Sequence, residues 1–317
     1  MTVYDKFDRS ELKVGHLNER NSKTDLSVMI DPDSQPISLS EEERQKLVKI
    51  ARDIYERGPA IVAYGAHLIK NGCAPLLIRM IEQGYVKQMI TNGAGMIHDF
   101  EFAFQGKTEE DVEQGLQDGQ FGLWDETGRI INSCINEAYE NNTGKGGGES
   151  VGGLISKTTT NKQYSVLGRS YEMKIPAGIM KAFGQDIIDT HPSFDGAAWG
   201  KAAQIDFDIF AKTIQGLQGG MFLSIGSAVM SPMVFEKALS MARNTTRPEN
   251  FHIVVNDIQP SNEGWSQREP GKENPAYFSR FNKTFSRAAK ACNSQLTYVQ
   301  LDNRAFLHNL YSILTNF

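Results

Sequence analysis

Glycines and small polar residues recur in this 317-residue chain where short apolar runs end. Gly65, Ala66 and His67 follow AIVAY. Thr91, Asn92, Gly93, Ala94 and Gly95 follow VKQMI, with His98 and Asp99 just beyond. Gly184, Gln185 and Asp186, then His191, follow IPAGIMKA. Gly226 and Ser227 follow MFLSI, Asn256 and Asp257 follow FHIVV, and Asp302 and Asn303 follow LTYVQL. Glycine lets a ligand approach the backbone, and the free amides of a following helix attract anions. Six such positions suggest a site for a nucleotide or another anionic cofactor. The competing reading is that they only make the tight turns that any α/β protein needs. The pattern alone leaves both open.

Formal fingerprints are absent. No G-x-G-x-x-G stands at any of these positions, so a standard dinucleotide turn is not supported. Gly106-Lys107-Thr108 resembles the tail of a P-loop, but Glu101 occupies the place of its first glycine. His98-Asp99 and Asp186…His191 offer metal-ligand types without a third convergent ligand, so no metal is expected. Cys73, Cys134 and Cys292 are odd in number and lack C-x-x-C spacing. They read as reduced thiols in a cytoplasmic protein.

The elements that must position these residues follow a rhythm. Ser40-Glu41-Glu42-Glu43 is a capping box opening a helix that ends at Gly58-Pro59. Buried strands are expected at 60–66, 86–91, 175–182, 221–226, 251–257 and 296–302. Helices are expected toward Gly84, from about His98, over 197–217, from Ser231 to Arg243 and at the C-terminus. Apolar strands alternating with helices imply parallel crossovers and a sheet covered on both faces. The expected fold is a doubly wound, mainly parallel α/β domain over 39–317. Residues 1–38, polar and rich in Asp, Ser and Asn, read as an arm able to pack on a partner subunit. The glycine-rich 144–153 reads as a flexible or phosphate-facing loop.

Composition narrows the partners. The formal charge of −5 and the absence of a basic average argue against nucleic acid. No apolar run approaches the roughly 20 residues that span a bilayer, and the charged N-terminus lacks a signal-peptide core. Neither a membrane nor secretion is expected.

Five segments, in one order, resemble the deoxyhypusine synthase family. GAHLIKNG (65–72) is similar to its T-S-N-L-I-S-S-G, TNGAGMIHDFE (91–101) to T-T-A-G-G-x-E-E-D, and GQDIIDTH (184–191) to L-G-D-M-I-x-F-H. VNDIQ (255–259) is similar to I-N-T-A-Q and YVQLD (298–302) to V-Y-A-D. The resemblance covers about residues 60–315. It implies a Rossmann-like fold, NAD at the strand ends, and a homotetramer with active sites shared between subunits. The implied reaction oxidises the secondary amine of spermidine, a polyamine, and holds the aminobutyl group as an imine on an enzyme lysine. A protein lysine or a small amine then accepts it.

Carried over residue by residue, the family's P-D-E-A-V-S-W-G-K falls on Pro275 to Lys283, which makes Lys283 the nucleophile and puts Phe281 in the place of a Trp against the substrate chain. A literal W-G-K at Trp199-Gly200-Lys201 lies where the family has no catalytic lysine. His191 matches a histidine that exchanges a proton with the substrate amine. Asp99 is left as the ribose partner. Gly65, Ala66, Thr91, Asn92, Gly93, Ala94, Asp186, Asp257 and Asp302 are the other cofactor-site expectations. Glu263 alone keeps a counterpart among the carboxylates that grip a triamine. The lost acids keep other readings alive: a homospermidine-synthase-like enzyme with putrescine as acceptor, another NAD-dependent amine enzyme, or a non-catalytic nucleotide-binding relative.

Overall fold

The computed structural model describes residues 3–260, 271–273, 277 and 279–317. Six strands form one parallel sheet: β1 (Ala60–Tyr64), β2 (Val86–Asn92), β3 (Ala177–Met180), β4 (Met221–Ile225), β5 (His252–Asp257) and β6 (Gln295–Gln300). Their order across the sheet is β3-β2-β1-β4-β5-β6. Each pair is in parallel register, as in Val62 opposite Leu223 and Val254 opposite Thr297. The strands are mostly apolar because both faces are covered. One face packs against α1 (Glu41–Arg57), α3 (Ala74–Glu82) and α12 (Asn303–Leu314). The other packs against α9 (Gly196–Gln215), α10 (Met230–Thr245) and α11 (Arg280–Ala291). The expected doubly wound architecture is the one observed.

The predicted capping box forms. Ser40 Oγ accepts from Glu43 N at 3.3 Å, and the Glu43 carboxylate accepts from Ser40 N at 2.8 Å. Gly58, at φ +90°, then ends α1. Among the described residues no helix is long and apolar enough to cross a membrane.

One expectation is corrected. The glycine-rich 144–153 is not a loop from Gly147 on: α7 (Gly147–Thr158) starts there. Its glycines permit close packing. A Cβ on Gly148 would fall 1.8 Å from Ala177 O, and one on Gly152 would fall 2.6 Å from Leu167 O. No phosphate is needed at its N-terminus, because the Asp206 carboxylate already accepts from Gly148 N at 3.0 Å and Ile179 N at 2.8 Å. The arm makes contacts with its own chain. Thr24–Asp25 pairs antiparallel with Lys107–Thr108. Arg20 makes two bonds, 2.9 and 2.6 Å, to Glu101 in α4 (Gly93–Gln105), and both side chains are buried.

Candidate functional site

In an open α/β sheet, ligands bind beyond the carboxyl ends of the strands where the order reverses. Here that point lies between β1 and β4. Gly65 ends β1 and opens the short α2 (Ala66–Lys70), and its N–H donates to Ile225 O at 3.1 Å. A Cβ on Gly65 would sit 2.0 Å from Gly226 O. Gly226 adopts φ +56°, a conformation that favours glycine, and donates to Asn256 O at 2.9 Å. The two glycines therefore bring bare backbone together at the switch.

Polar groups ring this contact. Thr91 Oγ1 donates to Tyr64 O at 3.1 Å, tying β2 to β1. Asn92 caps α4, its Oδ1 accepting from Gly95 N at 2.9 Å. The first turn of α4, Gly93 and Ala94 included, thus aims its amides at the strand ends. Asn256 donates to Val299 O and Leu301 O at 3.1 and 2.9 Å, and its buried Oδ1 has no partner among the described residues. Asn71 donates to Asn303 Oδ1 at 3.3 Å. Asp257 ends β5 and accepts from Gln259 N. Asp302 caps α12 and accepts from Arg304 N and Nε at 2.9 and 3.0 Å. The chain thus brings Gly65, Ala66, Thr91, Asn92, Gly93, Ala94, Asp257 and Asp302 to one end of the sheet.

Asp186 lies at the same end, toward β3. A Cβ on Gly93 would overlap its carboxylate, 2.1 Å from Oδ2. Burial raises the Asp186 pKa against the pull of Lys181, whose Nζ is 2.7 Å away. The Lys181 side chain is fully buried, reaches Asp189 at 2.5 Å, and lies 5.6–5.9 Å from the ring centres of Phe183, Phe194 and Trp199. A cleft of about 740 Å³ opens beside it, lined by Asp186, Asp189, Phe183, Phe194 and the arm residues Phe7 and Arg9. Sequence reading missed Lys181 and Asp189. Their only trace is three charged side chains within nine residues of a strand end, a spacing with no periodicity to mark it.

Three site expectations change. Asp99 is no ribose partner here. It is fully buried and caps α8 (Val166–Glu172), accepting from Val166 N at 2.7 Å, Leu167 N at 3.2 Å and Ser165 Oγ. Phe281 is core rather than substrate wall: it is 5% exposed and stacks on Tyr298, ring centres 6.1 Å apart. Within one chain, His191 and Lys283 stand at opposite edges. His191 follows β3 and packs against Gly128 of α6 (Asp125–Glu140). Lys283 lies in the first turn of α11, between β5 and β6, with Nζ 3.7 Å from the centre of the Tyr277 ring. Four strand spacings, about 19 Å, separate β3 from β5. Glu263 lies outside the described residues.

Other candidates serve the core or the surface. Trp199 is buried and donates to Asn132 at 2.7 Å, while Lys201 is exposed. Burial pushes the Cys73 and Cys134 thiols up to about 12 and about 11, so neither is a thiolate at neutral pH.

No family model matches the chain, and no curated protein matches it. Solved structures do. A conserved protein assigned as LOR/SDH from Methanococcus maripaludis S2 aligns at TM-score 0.54 and 17% identity over 90% of this chain and 71% of its own. AgrE, in a ternary complex with ornithine and NAD+, aligns at TM-score 0.52 and 17% identity over 88% of this chain and 34% of its own. A protein assigned as a deoxyhypusine synthase from Entamoeba histolytica aligns at TM-score 0.51 and 9% identity over 86% and 88%. The chain spans about a third of the length of AgrE. At these identities the likeness is one of fold.

Proposed function

We propose that this chain is an NAD-dependent enzyme that acts at a carbon–nitrogen bond of a small cationic amine or amino acid. The observation that carries the reading is the close approach of Gly65 to Gly226 at the topological switch, where a Cβ on Gly65 would fall 2.0 Å from Gly226 O and two bare glycine backbones stand at the strand ends. The donor set fits the cofactor. The α4 amides at Gly93 and Ala94 suit pyrophosphate charge, and the unpartnered Asn256 Oδ1 and the Asn303 amide suit ribose hydroxyls or a carboxamide. When bound, NAD supplies a hydride acceptor. The chain's own residues hold the substrate: Asp186 and Asp189, two carboxylates against the single cation Lys181, face its ammonium group, while Phe183 and Phe194 cover its alkyl chain. The ornithine and NAD+ held by AgrE are of the same chemical classes.

A second reading rests on Lys283 beside the Tyr277 ring, in the first turn after β5's loop. In it, Lys283 Nζ gives up a proton and attacks the carbon of an oxidised amine, the carbon–nitrogen bond to the departing amine breaks, and an imine on Nζ remains for an acceptor amine. This is the aminoalkyl transfer, with spermidine or a relative as donor. It includes a homotetramer with shared sites, because His191 and Lys283 would then come from different subunits.

The test is incubation with NAD+ and ornithine, putrescine or spermidine, a borohydride quench, and mass spectrometry alongside NADH detection. NADH formation supports the first reading, and a Lys283 adduct lost in Lys283→Ala supports the second. Absence of both NAD+ binding and NADH would overturn both.

A further inference from the structure

We propose that the cleft beside Lys181 is a site for an α-amino acid, with Arg9 of the arm as the residue that takes its carboxylate. This specificity rests on the reading that the cleft holds the substrate, and it narrows that substrate from amines in general to those with a carboxylate next to the amino group. Arg9 lines the cleft with Phe183, Asp186, Asp189 and Phe194. Its Nη1 donates to Asp189 O, and its Cζ lies 5.3 Å from the centre of the Phe194 ring. A neutral carbonyl and a neutral ring thus fix the guanidinium. Among the described residues no carboxylate lies within 4.0 Å of it. Other cations of the arm are paired: Arg20 with Glu101 at 2.6 Å and Lys23 with Asp111 at 2.7 Å. A guanidinium carries five N–H donors in a planar fork that matches a carboxylate. Arg9 therefore has donors to spare for a ligand.

The opposite charge stands on the residue that holds Arg9. The Asp189 carboxylate reaches Lys181 Nζ at 2.5 Å and accepts from Gly184 N at 2.7 Å, and Asp186 reaches the same Nζ at 2.7 Å. Two carboxylates against one lysine leave one negative charge at this wall. Because Asp189 contacts Arg9 through its carbonyl and Lys181 through its carboxylate, the positive and negative poles are adjacent. An α-amino acid bears its ammonium and carboxylate on one carbon, which suits adjacent poles. A diamine or triamine without a carboxylate leaves Arg9 unpaired and meets its charge as a repulsion. Phe183 and Phe194, ring centres 6.0 Å apart and nearly perpendicular, form an apolar corner for the side chain.

The test is calorimetric titration of the full-length protein with ornithine and with putrescine, which differ only in the α-carboxylate. Ornithine should bind at least about tenfold more tightly, as a charge-assisted pair gives. Arg9→Ala, at an exposed position, should lose that preference and leave putrescine affinity unchanged. Arg9→Lys, which keeps the charge but not the fork, should retain part of it. A merely structural role for Arg9 would weaken both ligands alike. Equal binding of the two by the wild-type chain, a preference unchanged in Arg9→Ala, or binding of neither would overturn the proposal. NADH formation, read in parallel, tests the reaction separately. An Arg9-dependent preference without NADH would uphold the amino-acid site and remove the redox reading, whereas NADH without such a preference would remove the site alone.

Discussion

Asp206 carries a carboxylate into the core, accepting from Gly148 N and Ile179 N. Burial pushes its pKa up to about 7 despite those two bonds. Its unfolded value is near 4, so the folded chain holds the proton more tightly. The associated stability is complete below about pH 4 and is lost as pH rises through about 7. Asp99, raised to about 6 by burial, acts in the same direction. Melting curves from pH 4 to 8 should therefore show a falling component that Asp206→Asn removes. An unchanged profile in Asp206→Asn would assign the slope to other groups. The Arg20–Glu101 pair gives a second residue-scale prediction. Arg20→Ala leaves a buried carboxylate whose remaining bonds come from Thr108 and Thr127, and should cost about 3–5 kcal/mol in denaturant unfolding. A loss below 1 kcal/mol would place the arm's anchorage elsewhere.

At the scale of elements, two helix glycines should answer alanine in opposite ways. In α7 a Cβ on Gly148 would meet the Ala177 carbonyl at 1.8 Å, while in α9 a Cβ on Gly200 meets nothing nearer than Phe183 Cζ at 4.0 Å. Gly200→Ala should stabilise by about 0.5–1 kcal/mol through helix propensity. Gly148→Ala has the same propensity gain, yet should destabilise because β3 must shift. Equal effects would mean that α7 does not need its glycines for contact. The same physics explains what the sequence disclosed. The central strands β1 and β4 were legible because parallel strands buried on both faces read as unbroken apolar runs, AIVAY and MFLSI, whereas the edge strand β6 is only partly buried and offers the shorter LTYV. The capping box located α1 for an equally local reason. The helix α7 was not legible, because Gly147, Gly148, Gly152 and Gly153 argue against helix until the closeness of β3 and α8 is known. For the same reason the sequence points to a start of α4 near His98, while the helix begins at Gly93. Among site residues, the glycines and amides at strand ends were readable from position. Asp99 and Phe281 were not, since their burial depends on α8 and β6, remote in the sequence.

At the scale of the molecule, the strand order β3-β2-β1-β4-β5-β6 is that of a dinucleotide-binding fold, yet β1 ends in Gly65-Ala66-His67 rather than a G-x-G-x-x-G turn. No acid ends β2: Asn92 stands there and caps α4. The cofactor proposed here would thus be held by backbone at Gly65 and Gly226 and by amides, with little carboxylate contact to ribose. Such a site predicts similar affinity for NAD+ and NADP+, since no carboxylate at the end of β2 repels a 2′-phosphate. Calorimetry with the two nucleotides checks this, and a strong preference for NAD+ would point to a ribose carboxylate elsewhere. The most direct test of the central claim is hydrogen exchange on the whole chain with and without NAD+, read by mass spectrometry. Saturable binding with protection at 65–67, 91–95 and 226–228 is the predicted result. No saturable binding, or protection confined to the Phe183–Asp189 cleft, would contradict a cofactor site at the β1–β4 switch.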